Sequence, residues 1–321
     1  LIGAYFRFTG LNWDQGTHLH PDERFLTTVT TQLQTVSNPL DYLRTSISTL
    51  NPYNTGNGFY VYGNFPMTVT RYAAEWATDL CAAFTSPGSP PPALCGFTYT
   101  AYDGVHLLGR FLSGLMDLLS IFFLFLIGRR LYDWRVGLLA ALLLALAVLP
   151  IQSAHFYTMD SWAAALTTLT IYTAVRAAGL GDKKARWQLR WWVFFGLALG
   201  LTVASRINVA PLASLAPLAA IIWLNLRGHN WSEWLNLNVI IRVTPAATDA
   251  QRMILGLVLA AFLSLITFRV AQPYAFTDAA LARQEAIAAT GQEPGTLELA
   301  LRSIIGFNPQ WRSNMEEIQR L

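Results

Sequence analysis

Apolar residues run along this chain in blocks long enough to cross a bilayer, separated by polar loops of very unequal length. A helix needs about 20 mostly apolar residues to cross roughly 30 Å of hydrocarbon. By that measure the pattern predicts spans over His106–Ile127, Val136–Ile151, Trp162–Ala178, Trp191–Ser205, Ile207–Leu226 and Met253–Phe268. Leu1–Phe6 reads as the tail of a further span that begins outside the sequence. Two of the blocks are short for a full crossing, so tilt or breaks near Pro211 and Pro217 are expected. The short alternating segments of a membrane β-barrel do not match these runs. The expected fold is all-α: a polytopic transmembrane helix bundle of about seven spans with a long helical first extracytoplasmic loop.

Composition supports this reading. Of 321 residues, 53% are hydrophobic and 13% charged, against a usual charged share of about 25%. The net charge of +3 is scattered, with no basic block of the kind that binds nucleic acid. Where the charges fall is more informative. Arg129, Arg130 and Arg135 follow the first full span, and Arg176, Lys183, Lys184, Arg186 and Arg190 precede the fourth. Arg227, Arg242 and Arg252 follow the fifth, whereas the loop Gln152–Ser161 holds no Lys or Arg. Basic loops stay on the cytoplasmic side, which puts Arg7–Val105 and Arg269–Leu321 outside a bacterial-type plasma membrane. Three segments result: 1–104, a helix end plus long outer loop; 105–268, the bundle; and 269–321, an outer C-terminal segment. Trp191, Trp192, Trp223, Trp231 and Trp234 fall at span ends and read as interfacial anchors.

The first outer loop is too long for a connector and is expected to carry structure or function. Phe25, Val29, Leu33 and Val36 form a helical stripe over Pro21–Val36, with Pro21, Asp22 and Glu23 suited to its first turn. A second helix is expected over Pro66–Phe84, with Asn64 near its cap, and turns over Asn51–Gly58. Cys81 and Cys95, the only cysteines, either bridge on an oxidising face or stay free as small apolar side chains.

Polar motifs gather on the same outer side. His18-Leu19-His20-Pro21-Asp22-Glu23-Arg24 sets two adjacent carboxylates at a membrane boundary, fit for a general base and a substrate or metal ligand. A helix N-terminus decorated with acids is the plainer reading. His155-Phe156-Tyr157-Thr158-Met159-Asp160 fills the loop without Lys or Arg; Asp160 also suits an N-cap. A divalent ion held by His20, Glu23 and His155 is conceivable, although the spacing matches no closed metal motif. Arg206 and Arg269, with Gln272 and Tyr274 following, put guanidinium groups at the outer headgroup level. Such groups hold phosphate in a bidentate way or snorkel to lipid. Arg110 and Asp117 lie seven residues apart inside one span and share a helical face, as an ion pair or part of a site.

His20-Pro21-Asp22-Glu23-Arg24 and His155 to Asp160, with Arg206 and Arg269 to Tyr274, resemble motifs of the polytopic GT-C glycosyltransferases. The nearest branch is that of the protein O-mannosyltransferases (family 39-like) and aminoarabinose transferases. Bacterial membrane proteins with the same His-Pro-Asp-Glu-Arg-Phe string and a Tyr62-Gly63-Asn64-Phe65-Pro66 segment look closer still. The resemblance implies an outer-face enzyme that moves a sugar from a polyprenyl-phosphate donor to an unidentified acceptor. Asp22, Glu23 and Asp160 would be its catalytic carboxylates. Arg24, His155, Arg206, Arg269, Gln272 and Tyr274 would bind substrate or phosphate. Related enzymes often carry lysine where this chain has Arg206. Two rivals remain: a non-catalytic membrane subunit of a larger complex, which implies other membrane subunits as partners, and a transporter, which would show inverted repeats.

Overall fold

The computed structural model describes residues 1–85, 95–229, 245–318 and 320. Trp231, Trp234 and Arg242 lie outside the described residues. The helices, in chain order, are α1 (Ile2–Phe8), α2 (Pro21–Gln32), α3 (Asn64–Phe84), α4 (Tyr102–Leu131), α5 (Trp134–Leu146), α6 (Val148–Ala154) and α7 (Asp160–Ala177). They continue with α8 (Leu189–Ser205), α9 (Leu215–Leu226), α10 (Pro245–Ala271), α11 (Ala279–Thr290), α12 (Thr296–Ile305) and α13 (Pro309–Ile318). No strand occurs among the described residues, where one bridge joins Phe276 and Phe307. The fold is the all-helical one expected.

Among the described residues, three helical segments are long and apolar enough to cross a membrane: Tyr102–Leu131, Ile207–Leu226 and Thr248–Ala271. Two of the other expected spans are weaker. α8 has 17 residues, and α7 carries Asp160, Ser161 and four threonines along its length. The expected span Val136–Ile151 is two helices, α5 and α6, bent by 60°. Pro150 explains the bend, because its ring would meet the carbonyl of residue 146, the last of α5. The break near Pro211 takes the form of a 3-10 segment, Ile207–Ser214, ahead of α9.

The chain divides into two compact units. The first comprises Leu1–Thr9, Gly114–Ala154 and Asp160–Phe268. Here α7 and α8 pair along their length, with a Thr170–Thr202 side-chain hydrogen bond of 3.0 Å at the seam. Gly196 and Gly200 let α8 approach the backbone of α10, where a Cβ would press on the carbonyls of Ala260 and Ser264. Small residues one turn apart are the usual means of close helix approach in lipid. Trp192 and Trp223 are each 1% exposed and pack in the core, so they are not the interfacial anchors their positions suggested. Arg7 is buried as well. Its Nε donates to Asp117 at 2.6 Å, and its Nη atoms donate to the carbonyls of Ala145 (2.5 Å) and Leu144 (3.1 Å). Those carbonyls lie in the last turn of α5, where intrahelical donors run out; the Leu144 carbonyl also accepts from the Ala147 backbone N–H at 3.3 Å.

The second unit comprises Gly10–Ser113, His155–Met159 and Arg269–Leu321. Pro21 opens α2, and the His20 ring caps it by accepting from the Asp22 backbone N–H at 3.2 Å. The helix stops at Gln32, before the stripe's last two members, yet Leu33 is buried and Val36 packs beside it. The core joins Leu26, Val29 and Leu33 to Leu50, Tyr60, Met67, Tyr157, Met159 and Tyr274. Cys81 and Cys95 are bridged, with Cα atoms 5.3 Å apart, which decides between the two readings of that pair.

Candidate functional site

Arg110 is the polar centre of the second unit. Its guanidinium is wholly buried and makes a fork with Glu23, Nε to Oε1 at 2.7 Å and Nη2 to Oε2 at 2.6 Å. The other side meets Asp14, Nη1 to Oδ1 at 2.9 Å and Nη2 to Oδ2 at 2.8 Å, and Nη1 also reaches the Leu11 carbonyl at 2.7 Å. Every guanidinium nitrogen is used, in the bidentate geometry that suits arginine to carboxylates. Glu23 accepts once more, from the Tyr157 backbone N–H at 2.8 Å. One arginine on α4 thus ties together the loop before α2, the first turn of α2 and the 155–159 loop. The approach is close, since a Cβ at Gly109 would fall on the Tyr157 ring.

The loop before α2 is strained. Gln15 and His18 have φ of 53° and 49°, a left-handed conformation costing a residue with a side chain about 1–2 kcal/mol. Asp14 helps hold that shape, accepting from the Gly16 and Thr17 backbone N–H groups with its side chain and carbonyl respectively. Hydrogen bonds from Arg110 hold the Asp14 carboxyl well below the usual carboxylate range. His18 is buried against the rings of Tyr102 and His106, and burial pushes its imidazole below its ordinary value. Neither His18 ring nitrogen has a hydrogen-bond partner among the described residues.

Against this frame the candidate residues separate. Glu23 is fully spent on Arg110 and Tyr157. Asp22, next to it, is half-buried, and among the described residues its carboxylate joins no hydrogen bond or ion pair. Arg24 is exposed, its Nε 3.3 Å from the His18 carbonyl. The His20 ring lies 4.8 Å from that of Phe156, so the first motif and the His155 loop meet in this unit. Arg269 stacks on Phe276 at 4.7 Å and donates to the Pro273 carbonyl at 3.4 Å. Gln272 and Tyr274 are buried. Gln272 Oε1 accepts from the Asn64 backbone N–H at 2.5 Å, and the Tyr274 hydroxyl shares a 2.8 Å hydrogen bond with Ser48. Their polar atoms hold the C-terminal segment to the first loop.

In the first unit Asp160, heading α7, and Arg206, ending α8, form an ion pair, each side chain 48% exposed. Two residues expected to play separate roles are therefore partners. No group of three His, Cys, Asp or Glu that could hold a metal ion is present among the described residues. His20 Nδ1 and both Glu23 oxygens, proposed as ligands, already accept hydrogen bonds within the chain. Arg110 and Asp117, placed on one helical face by their spacing, do not pair. Seven residues separate them by about 10 Å along a helix, and each finds its own partner, Asp14 with Glu23 and Arg7. The pairing signal was weak: Asp14 lies in a loop, and only the cost of an unpaired intramembrane arginine pointed to a carboxylate somewhere.

Residues 103–248, a little under half of the chain, match the family described as dolichyl-phosphate-mannose-protein mannosyltransferase. No protein of curated function and no solved structure matches. The match bears out the resemblance drawn from the motifs and supports a multi-pass membrane glycosyltransferase of the GT-C type, mannosyltransferase-like. It covers α4 to the start of α10 and lies after the Asp22 motif.

Proposed function

We propose that this GT-C-like chain moves a sugar from a polyprenyl-phosphate donor to an acceptor hydroxyl at the extracytoplasmic face, with Asp22 as general base. The observation that carries the reading is the unequal state of two adjacent carboxylates. Glu23 is buried and forked onto Arg110, whereas the Asp22 carboxylate beside it joins no hydrogen bond or ion pair among the described residues. A base must reach the proton it takes, and a rigid neighbour holds it in place.

Asp22 accepts the proton of the acceptor hydroxyl as that oxygen attacks the anomeric carbon. The bond from that carbon to the phosphate oxygen breaks, and the lipid phosphate leaves from the opposite face, inverting the configuration. Its charge calls for a cation placed where it develops. Arg269 stacks on Phe276 and, among the described residues, donates to the Pro273 carbonyl through one nitrogen, which leaves guanidinium donors for a phosphate. Arg206 can exchange Asp160 for a phosphate because the pair is half-exposed. Arg24 and His155 are assigned to substrate contact, and Gln272 and Tyr274 to the scaffold behind Arg269. No nucleotide enters this chemistry.

The test is transfer in proteoliposomes from a radiolabelled polyprenyl-phosphate sugar, set against the same sugar on a nucleotide, with a membrane extract as acceptor source. Label should leave the lipid-linked donor only, with inversion at the anomeric carbon. Absence of transfer from every lipid-linked sugar would favour a non-catalytic membrane subunit.

A further inference from the structure

Helix α12 has a bare apolar face. Leu297, Leu301, Ile304 and Ile305 are 75%, 51%, 63% and 66% exposed. At 3.6 residues per turn they fall within an arc of about 100° on the helix. Glu298 and Arg302 lie beside that arc and pair with each other at 2.9 Å, and α11 packs along another side. Nothing within the described chain covers the apolar arc.

What covers it follows from where α12 is tied. Its last turn is fastened to the chain that emerges from α10, the helix whose Thr248–Ala271 stretch is long and apolar enough to cross a membrane. The Thr277 backbone N–H donates to the Gly306 carbonyl at 2.9 Å, and its hydroxyl donates to the Arg302 carbonyl at 2.7 Å. The Asn308 N–H donates to the Ala275 carbonyl at 2.9 Å. Ala275 and Thr277 are four and six residues past the end of α10, a reach of about 20 Å at full extension. A helix with a broad apolar arc, pinned that near a bilayer crossing, has lipid as its nearest apolar partner.

The same fastening continues inward. The Arg269 guanidinium lies over Phe276 at 4.7 Å; Phe276 stacks on Phe307 at 5.2 Å, and Phe307 on Trp311 at 5.4 Å. Phe307 is two residues past the end of α12.

We propose that α12 lies in the lipid interface with Leu297, Leu301, Ile304 and Ile305 among the acyl chains, and that the Phe307–Phe276 stack fixes Arg269 from that anchor. Arg269 is then held at headgroup height by a helix some thirty residues downstream as well as by its own span. The last step rests on the assignment of Arg269 to phosphate binding; the anchoring does not.

The full chain in nanodiscs with bromine on the lipid acyl chains provides the test. Its two cysteines are bridged, so Leu301→Cys, Ile304→Cys and Arg302→Cys each take one fluorescent label. Quenching should be several-fold stronger at 301 and 304 than at 302. Equal quenching at all three, or label–label contact between two copies at 301, would overturn the anchoring. Leu301→Asp combined with Ile304→Asp adds charge only at exposed positions. It should raise the rate of phenylglyoxal modification of Arg269, read by mass spectrometry, by several-fold. An unchanged rate with quenching as expected would overturn the link to Arg269 alone. Neither readout needs turnover, so both stand apart from the transfer assay.

Discussion

Replacing Arg110 with methionine would leave Asp14 and Glu23 without a counter-charge where all three side chains are fully buried. Removing one partner of a buried ion pair costs about 3–5 kcal/mol, so R110M should lower the melting temperature sharply or abolish folding in detergent. Little change would mean the cluster is not what joins the three segments. Acid should act on the same region. His18 and Asp14 both have lowered pKa values in the folded chain, so the unfolded chain binds more protons between each folded value and its ordinary one. Stability is therefore fully present above about pH 6.5 and falls as pH drops below it through His18, with the Asp14 part following below about pH 4. His18→Phe should flatten the upper part of a plot of melting temperature against pH and leave the lower part. At this scale the sequence shows the participants but not their pairing. Asp22 and Glu23 look equivalent in the string, and only the position of Arg110, 87 residues away, makes one a strut and leaves the other open.

Helix signals were legible where local chemistry dictates them. Pro21 and the acidic first turn mark the start of α2, and apolar length marks α4 and α10. The bend between α5 and α6 was harder to see, because Pro150 lies near the end of the apolar run where it reads as a terminator. Nor does apolar length separate a lipid-facing helix from a core one, so the positions of Trp192 and Trp223 at span ends suggest the interface although both are core. Gly200→Leu should destabilise the first unit by about 1–3 kcal/mol through overpacking, because its side chain would press on Ser264 and Thr267 of α10. Leu197→Ala, at a 37% exposed position of α8, should change the melting temperature much less. Equal effects would remove Gly200 as a contact point. Cys81 and Cys95 close a loop of sequence separation 14, worth roughly 3 kcal/mol by chain entropy. Their replacement by serine should lower the melting temperature by several degrees, and wild-type protein treated with reductant should match the variant.

For the molecule as a whole, the succession of long apolar runs was the strongest guide to an all-helical membrane fold, since it is a summed pattern. The grouping of segments was not legible. The His155 loop joins the first loop and the C-terminal segment in one unit, and long-range pairings such as Glu23 with Tyr157 leave no periodic trace in the chain. The central claim is that this unit holds Asp22 ready as a base while Glu23 and Arg110 hold the frame. It is tested most directly by comparing Asp22→Asn with wild type for transfer from a polyprenyl-phosphate sugar, with melting temperature measured on the same preparations. Loss of a general base typically costs about 10²–10⁴ in rate. The account predicts a loss of that order at an unchanged melting temperature; transfer by the variant at the wild-type rate would contradict it.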